Sequence, residues 1–400
     1  MSYQEIARAD CTFWNGFRPC DKQRLQGLPN CIGCSLYQKG EEVLNLSNLE
    51  YCPDMLKSAS KVGIVEARGL GDILRTTTIS KRIREINPNT EIYWLTHTRG
   101  VSLLKSVPKV KVIDTEKREH DYIDTKMDVL VNFDVSQIAK EIVVKNDCIA
   151  GLEVNNRGNF VGVSPYAEYL QRFQIDDSFR SKNTLHRQQI ILESIGLEYR
   201  GIDYDVKLNS ENFTVAQRVV DEAFSGQKFK QLVGLNLGSS KKGILKRWSP
   251  DRYVEVAREL AHLYPETGIL ILSGPEDSDA KDSVIEVTAG IEIASNVSIL
   301  PNDIEIGNFM AIMAGCTLIV TSDTFAFHAA EALKIPTISL IGPMPIKELE
   351  ASPSSISIGP KLECSPCFYK CIQPVSGQCM INIEVDEVLK AINSFLSKLS

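Results

Sequence analysis

From residue 61 onward, short apolar runs alternate with segments whose apolar residues recur every three or four positions. Residues 61–67 (KVGIVEA) read as a buried strand, followed by the turn RGLGD and a helix through ILRTTTISKRIREI. EIYWLTH is the next strand, then a short helix near 101–106, strands KVIDT and MDVLVNF, and a helix over 136–145. This is the rhythm of a parallel sheet covered by helices. Residues 164–200 are mostly helical in pattern, and the rhythm restarts at Gln231. QLVGLNLG is a strand, SPDRYVEVARELAHLY an amphipathic helix with Ser249 as its N-cap, and GILILSG a further strand. A helix over 304–315 has Asp303 placed to cap it; strands at 317–320 and 335–341 then flank one more helix. The expected organisation is α/β, with two doubly wound domains facing a cleft and a Cys-rich extension ahead of them. Its bounds are 1–58, 59–208 and 209–400.

Composition narrows the function classes. The 400 residues suffice for two or three domains, and an apolar share of 43% describes an ordinary globular chain. No apolar run approaches the roughly 18 residues of a membrane span, and the start MSYQEIARAD carries no signal-peptide core, so the expected compartment is the cytoplasm. A net charge of −7 argues against broad electrostatic binding to nucleic acid or anionic membrane, while leaving room for a local basic patch.

Four polar motifs follow strands, where open parallel sheets bind ligands. In GLGD, Asp72 is either a helix N-cap or a carboxylate placed as general base. LNLGSSKKGILKRWSPDRY ends a strand in small residues and then brings Lys241, Lys242, Lys246 and Arg247, either a solvated basic loop or hydroxyls, amides and cations suited to a phosphate-bearing ligand. LSGPEDSD puts Glu276 where an acidic residue can accept from ribose hydroxyls. In TSDTFAFHAAEALKIPTISLIG, Asp323, Thr324 and His328 stand at a strand end and the first turn of a helix, whose free amides favour an anion.

Eight of the eleven cysteines lie in two clusters. CSPCFYKCIQPVSGQC spaces Cys364, Cys367, Cys371 and Cys379 closely enough to fold around a tetrahedral ion, iron and zinc being equally served by four thiolates. Cys11, Cys20, Cys31 and Cys34 are looser and form a candidate second site. Both read as structural, without an open ligand position.

GDILRTT, KRWSPDRY, GPED and SDTFAFHAAEALKIPTISLIGP, in that order from residue 61 onward, together resemble glycosyltransferase family 9, the heptosyltransferases. The resemblance implies a GT-B fold with two Rossmann-like domains, the acceptor on 59–208 and the nucleotide sugar on 209–400. It implies inverting transfer of heptose from ADP-heptose to a hydroxyl of a protein, saccharide or small molecule, with Asp72 as base. Lys246, Ser239 and Ser240 would hold donor phosphate and Glu276 the ribose. Asp323 would bind the sugar, and Thr324 and His328 would complete the phosphate end. The segment 364–379 resembles the iron-carrying cysteine finger of autotransporter heptosyltransferases. No catalytic divalent metal is expected, since no DxD pair stands near the donor motifs, and a homo-oligomer is a further expectation. Phe325 and Phe327 depart from the family pattern, which keeps another nucleotide sugar open as donor. A non-catalytic metal-bearing binding or assembly module is the alternative of a different class.

Overall fold

The computed structural model describes residues 11, 34–39, 53–119, 126–155, 158–239, 241–290 and 293–398. Ser240, Cys20, Cys31 and most of the expected extension lie outside them. Of the extension, Cys11 pairs with Lys39 in one isolated antiparallel bridge. The chain divides into two compact units, Met1–Asp205 and Val206–Ser400.

The first unit carries β1 (Lys61–Val65), β2 (Glu91–Thr96), β3 (Val110–Asp114), β4 (Val129–Asn132), β5 (Ile149–Val154) and β6 (Phe160–Gly162). Their order is β3-β2-β1-β4-β5-β6, with every pairing parallel except β5 with β6. β4 is buried at every position and β1 at all but its first, the near-continuous apolar run of a sheet covered on both faces. β5 and β6 have no counterpart in the sequence pattern. Gly151 interrupts the first of them at φ +92°, where an added Cβ would stand 2.4 Å from the carbonyl oxygen of Asn132.

The helix expected after GLGD is two consecutive helices, Leu70–Thr76 and Thr78–Ile86. The hydroxyls of Thr76, Thr77 and Ser80 each donate back to a carbonyl three residues earlier, at 2.7 Å in all three cases. Thr77 and Ser80 also reach forward to the end of the unit. The Asp205 amide donates to Thr77 Oγ1 (3.0 Å), while Ser80 Oγ and Arg84 each donate to Asp205 Oδ2 at 2.5 Å.

In the second unit all strands are parallel: β7 (Gln231–Asn236), β8 (Thr267–Leu272), β9 (Val297–Ile299), β10 (Leu318–Ser322), β11 (Thr337–Leu340) and β12 (Ile356–Ile358). The order β12-β11-β10-β7-β8-β9 repeats the winding of the first sheet. The helix Pro250–Leu263 buries Tyr253, Val254, Val256, Ala257, Leu260 and Ala261, a stripe with helical spacing. Trp248 stacks edge-on against Tyr253 (5.0 Å between centroids) and donates to the Ile383 carbonyl at 3.0 Å, which pins the start of the C-terminal helix Val385–Leu396.

Of two expected caps, Ser249 holds its position and Asp303 is corrected. Ser249 occupies the N-cap position, but its hydroxyl turns to Asp251 instead of a backbone amide. The helix Ile306–Ala314 is capped by Glu305, which accepts from the amides of Gly307 and Asn308, because it starts later than the sequence implied and leaves Asp303 too far upstream. Among the described residues no helix is long and apolar enough to cross a membrane.

Replacing Asp205 by Ala strands a mostly buried guanidinium and a buried hydroxyl, and is expected to cost about 2–3 kcal/mol in urea unfolding.

Candidate functional sites

In a doubly wound sheet the ligand lies beyond the carboxyl ends of the two strands at which the order reverses. In the second unit those strands are β7 and β10. β10 ends at Ser322, and two residues later Thr324 is the N-cap of the helix Phe325–Ala332, so its first-turn amides open at this end of the sheet. The Thr324 hydroxyl makes no capping bond. It lies 3.2 Å from Thr321 Oγ1, which in turn accepts from Asn236 at the end of β7 (3.0 Å).

At the same place Lys246 Nζ meets Asp323 Oδ2 at 2.7 Å, with both side chains largely buried. Burial opposes the ammonium charge, but Asp323 and then Tyr369 outweigh it and hold its pKa above that of an ordinary lysine. The Lys246 ammonium stands 5.7 Å from the Tyr369 ring centroid. Phe368 and Tyr369 are both left-handed (φ 50° and 67°), a strained pair within the cysteine finger. The Phe368 amide bonds the Pro343 carbonyl (3.0 Å) and Ser365 the Gly342 carbonyl (2.8 Å), so the finger is moored to the loop after β11.

Asp277 organises the neighbouring loops. Its carboxylate accepts from the amides of Ser239 (3.1 Å) and Gly274 (2.9 Å), and from Arg247 at 3.3 Å. Burial raises its pKa against those bonds. Arg247 also donates to the Ser239 carbonyl (2.7 Å) and to Asp279 (2.6 Å). The Ser239 hydroxyl is buried and donates to the Gly243 carbonyl (2.8 Å), which spends it on holding the loop. Glu276 sits exposed in the short turn Pro275–Asp277, after β8. His328 is buried with its Nδ1 3.6 Å from a Glu350 carboxylate oxygen and its ring edge-on to Phe327. Phe327 itself packs in the core with Ile341 and Leu349, whereas Phe325 is half-buried at the helix start.

In the first unit the order reverses between β1 and β4. Gly69, not Asp72, is the N-cap of the helix Leu70–Thr76, so the N-cap reading of Asp72 is corrected: its carboxylate lies in the first turn, partly exposed. Glu66, fully buried, holds Arg68 with two parallel bonds of 2.9 and 2.5 Å. Burial raises the Glu66 pKa, opposed by Arg68. The Arg68 carbonyl is fixed by His97 Nε2 (2.8 Å); because Nδ1 accepts from the Gly100 amide (3.1 Å), Nε2 carries the proton. Asp134 clamps the β1 loop to the β4 loop through the amides of Ala67 (2.9 Å) and Ser136 (2.7 Å). Sequence reasoning singled out neither Glu66 nor Arg68, Asp134, Arg187, Asn236, Asp277 or Tyr369. The strand–EAR–GLGD junction was the one legible signal, an acid and a base two residues apart at a strand end.

The finger thiols neighbour one another. Burial raises the pKa of Cys367, with Cys371 and Cys364 beside it; burial likewise raises that of Cys379, with Cys367 and Cys371 beside it. The amides of Gly377, Gln373 and Gln378 lower that of Cys371. Among the described residues, however, no three His, Cys, Asp or Glu side chains stand in an arrangement that would hold a metal ion. The expected four-thiolate ligand set is therefore not closed in this geometry. The second candidate set has two members, Cys20 and Cys31, outside the described residues.

Two doubly wound units, one with a lysine–aspartate pair at a helix start beyond its sheet, define an α/β protein of the two-domain kind. The sequence profile of glycosyltransferase family 9 (heptosyltransferase) matches residues 144–374, more than half of the chain. The chain belongs to that family. It is 26% identical over 168 residues to lipooligosaccharide heptosyltransferase 2 of Campylobacter jejuni, covering 41% of this chain and 51% of that protein. The chain thus spans about half the length of this curated relative. Its fold is similar to that of Escherichia coli ADP-heptose LPS heptosyltransferase II, with a TM-score of 0.62 and 16% identity over 84% of this chain and 99% of that one. It is also similar to the iron-containing dodecameric glycosyltransferase TibC of enterotoxigenic E. coli, with a TM-score of 0.54 and 12% identity over 86% and 77%.

Replacing Lys246 by Met removes the ammonium from a largely buried Asp323, an expected loss of about 3 kcal/mol in chemical unfolding. Since the folded pKa of Lys246 is raised, the pair's contribution is complete below the unfolded value of 10.5 and disappears as pH rises through the higher folded value. The wild-type minus variant stability difference should therefore hold level from neutral pH to about 10 and shrink above it.

Proposed function

We propose that this chain is an inverting glycosyltransferase that moves heptose from ADP-heptose to an acceptor hydroxyl. The observation that carries the reading is the Lys246–Asp323 pair at the helix start beyond β7 and β10. A diphosphate brought there would compete with Asp323 for the ammonium and accept the first-turn amides. Asp323, released from Lys246, then accepts from sugar hydroxyls, while Glu276 on the exposed turn after β8 accepts from the ribose. Asn236 and Thr321 keep Thr324 oriented at the phosphate end. The buried His328–Glu350 pair would support that helix from behind its first turn.

In the first unit Asp72 is the proposed base. It takes the proton of the acceptor hydroxyl, the oxygen attacks the anomeric carbon, and the bond from that carbon to the diphosphate breaks with its electrons leaving on ADP. Charge grows on the diphosphate as this bond opens, and Lys246 with the helix amides is placed to receive it. The chain supplies these cations itself, so the mechanism calls on no divalent metal.

The half-buried Phe325 at the sugar end favours one second reading, a different nucleotide sugar as donor. A metal on the finger is supported by the mutual proximity of its thiols and by the iron of TibC, and would be structural. Metal analysis of protein purified without oxygen should then find about one iron or zinc per chain, lost in Cys367→Ser; no metal would remove the proposal.

Melting shifts with ADP, GDP, UDP and CDP test the donor. ADP should give the largest shift, and Lys246→Met or Glu276→Ala should abolish it. Asp72→Asn should keep the ADP shift while transfer from ADP-heptose falls about 10²–10⁴-fold. Selectivity for another nucleotide would discard the donor, and an active Asp72→Asn would discard the base.

A further inference from the structure

The cysteine finger touches the short helical turn Lys241–Lys246 at two places. Tyr369 stands beside the Lys246 ammonium, 5.7 Å from nitrogen to ring centroid. Gly377, left-handed at φ +80°, closes on Leu245: a Cβ added there would lie 3.7 Å from Leu245 Cδ2. The finger is in turn anchored to the loop after β11. The Phe368 amide and the Ser365 hydroxyl hold two carbonyls of that loop. Gly342 is packed so closely that an added Cβ would stand 2.5 Å from Met380 Sδ and 2.9 Å from Cys379 Sγ.

Phe368 and Tyr369 hold their places at a cost. Two consecutive residues other than glycine in the left-handed region are strained, and the anchoring sustains the strain. Packing does not account for it, since Tyr369 is 39% exposed and its ring adds little to the core. What the conformation achieves is a phenol hydroxyl at the lysine. Burial opposes the ammonium charge; Tyr369, after Asp323, counters it as a hydrogen-bond partner of Lys246. A phenol oxygen that accepts from an ammonium turns its own hydrogen away from it. That hydrogen is free to meet an acceptor that arrives beside Lys246.

We propose that Tyr369 is a ligand-binding residue that reads the second phosphate of the nucleotide sugar, its hydroxyl donating to an oxygen of the phosphate that Lys246 meets. The proposal rests on the reading of this end as the donor site. Asp323 is there the group that takes the sugar, so the phosphate bonded to the sugar is the one brought beside Lys246 and Tyr369. The hydrogen bond strengthens as charge grows on the departing diphosphate, and no proton leaves the phenol. The finger thereby supplies a donor contact of its own, one that distinguishes a diphosphate from a monophosphate.

The test uses the full chain and calorimetric titration of ADP, AMP and inorganic pyrophosphate against wild type and Tyr369→Phe. The variant keeps the ring and loses only the hydroxyl. It should bind ADP and pyrophosphate at least about 10-fold more weakly than wild type, with AMP affinity unchanged. A merely structural tyrosine would lower all three affinities together or none. Equal ADP and pyrophosphate affinities in the two proteins, an AMP affinity that falls in parallel with that for ADP, or a wild type that binds neither ADP nor pyrophosphate overturns the proposal. The two diphosphates separate the possible failures. A wild type that binds pyrophosphate but not ADP sinks the donor reading, and the pyrophosphate ratio still decides the role of Tyr369. A wild type whose affinity for ADP the variant shares sinks the role of Tyr369 alone.

Discussion

Adjacent parallel strands whose connections leave to opposite faces cannot be closed over at their carboxyl ends, and each unit contains one such place. Between β7 and β10 the opening is met by Asn236, Lys246, Asp323 and the start of the helix Phe325–Ala332. Between β1 and β4 it is met by Glu66, Arg68, Asp134 and the start of the helix Leu70–Thr76. The same winding therefore offers two backbone ends of like polarity, and the side chains decide what each is for.

The two ends handle charge differently. In the second unit the cation is paired: Lys246 rests on Asp323, and Arg247 on Asp277 and Asp279. A diphosphate bound there, as proposed, would exchange one partner for another and leave the site compensated in either state. In the first unit Arg68 is neutralised by Glu66, and the buried Arg187 lies over the face of Phe173. Tyr369 links the Lys246–Asp323 pair to the cysteine finger, since the strained Phe368–Tyr369 turn brings the ring beside Lys246. The finger is thus part of the frame around Lys246 whatever its thiols hold.

Much of the architecture was legible in the sequence because parallel strands buried on both faces leave continuous apolar runs, as in VLVN and TGILIL. β5 and β6 were not, since Gly151 breaks the run of the first and the second is three residues long. Residues next to strand ends were legible as motifs, and Lys246 and Asp323 are brought into contact from positions 77 apart. What local pattern cannot show is which distant groups share a charge. Arg187 opens a helix of weak pattern, and its burial against Phe173 shows only in the fold. Glu66 and Asp277 were passed over for the same reason, each being defined by partners it meets in space. The Asp303 cap failed by two residues, the usual scale of error when a cap is assigned before the helix boundary is known.

The most direct test of the central claim is an experimental structure of the full chain with ADP bound. The account predicts the diphosphate beyond β7 and β10, with Lys246 Nζ and an amide of the Phe325–Ala332 helix each about 3 Å from phosphate oxygens, and with Asp323 released from Lys246. A nucleotide bound elsewhere, or bound with the Lys246–Asp323 pair intact and the diphosphate away from it, would contradict the account.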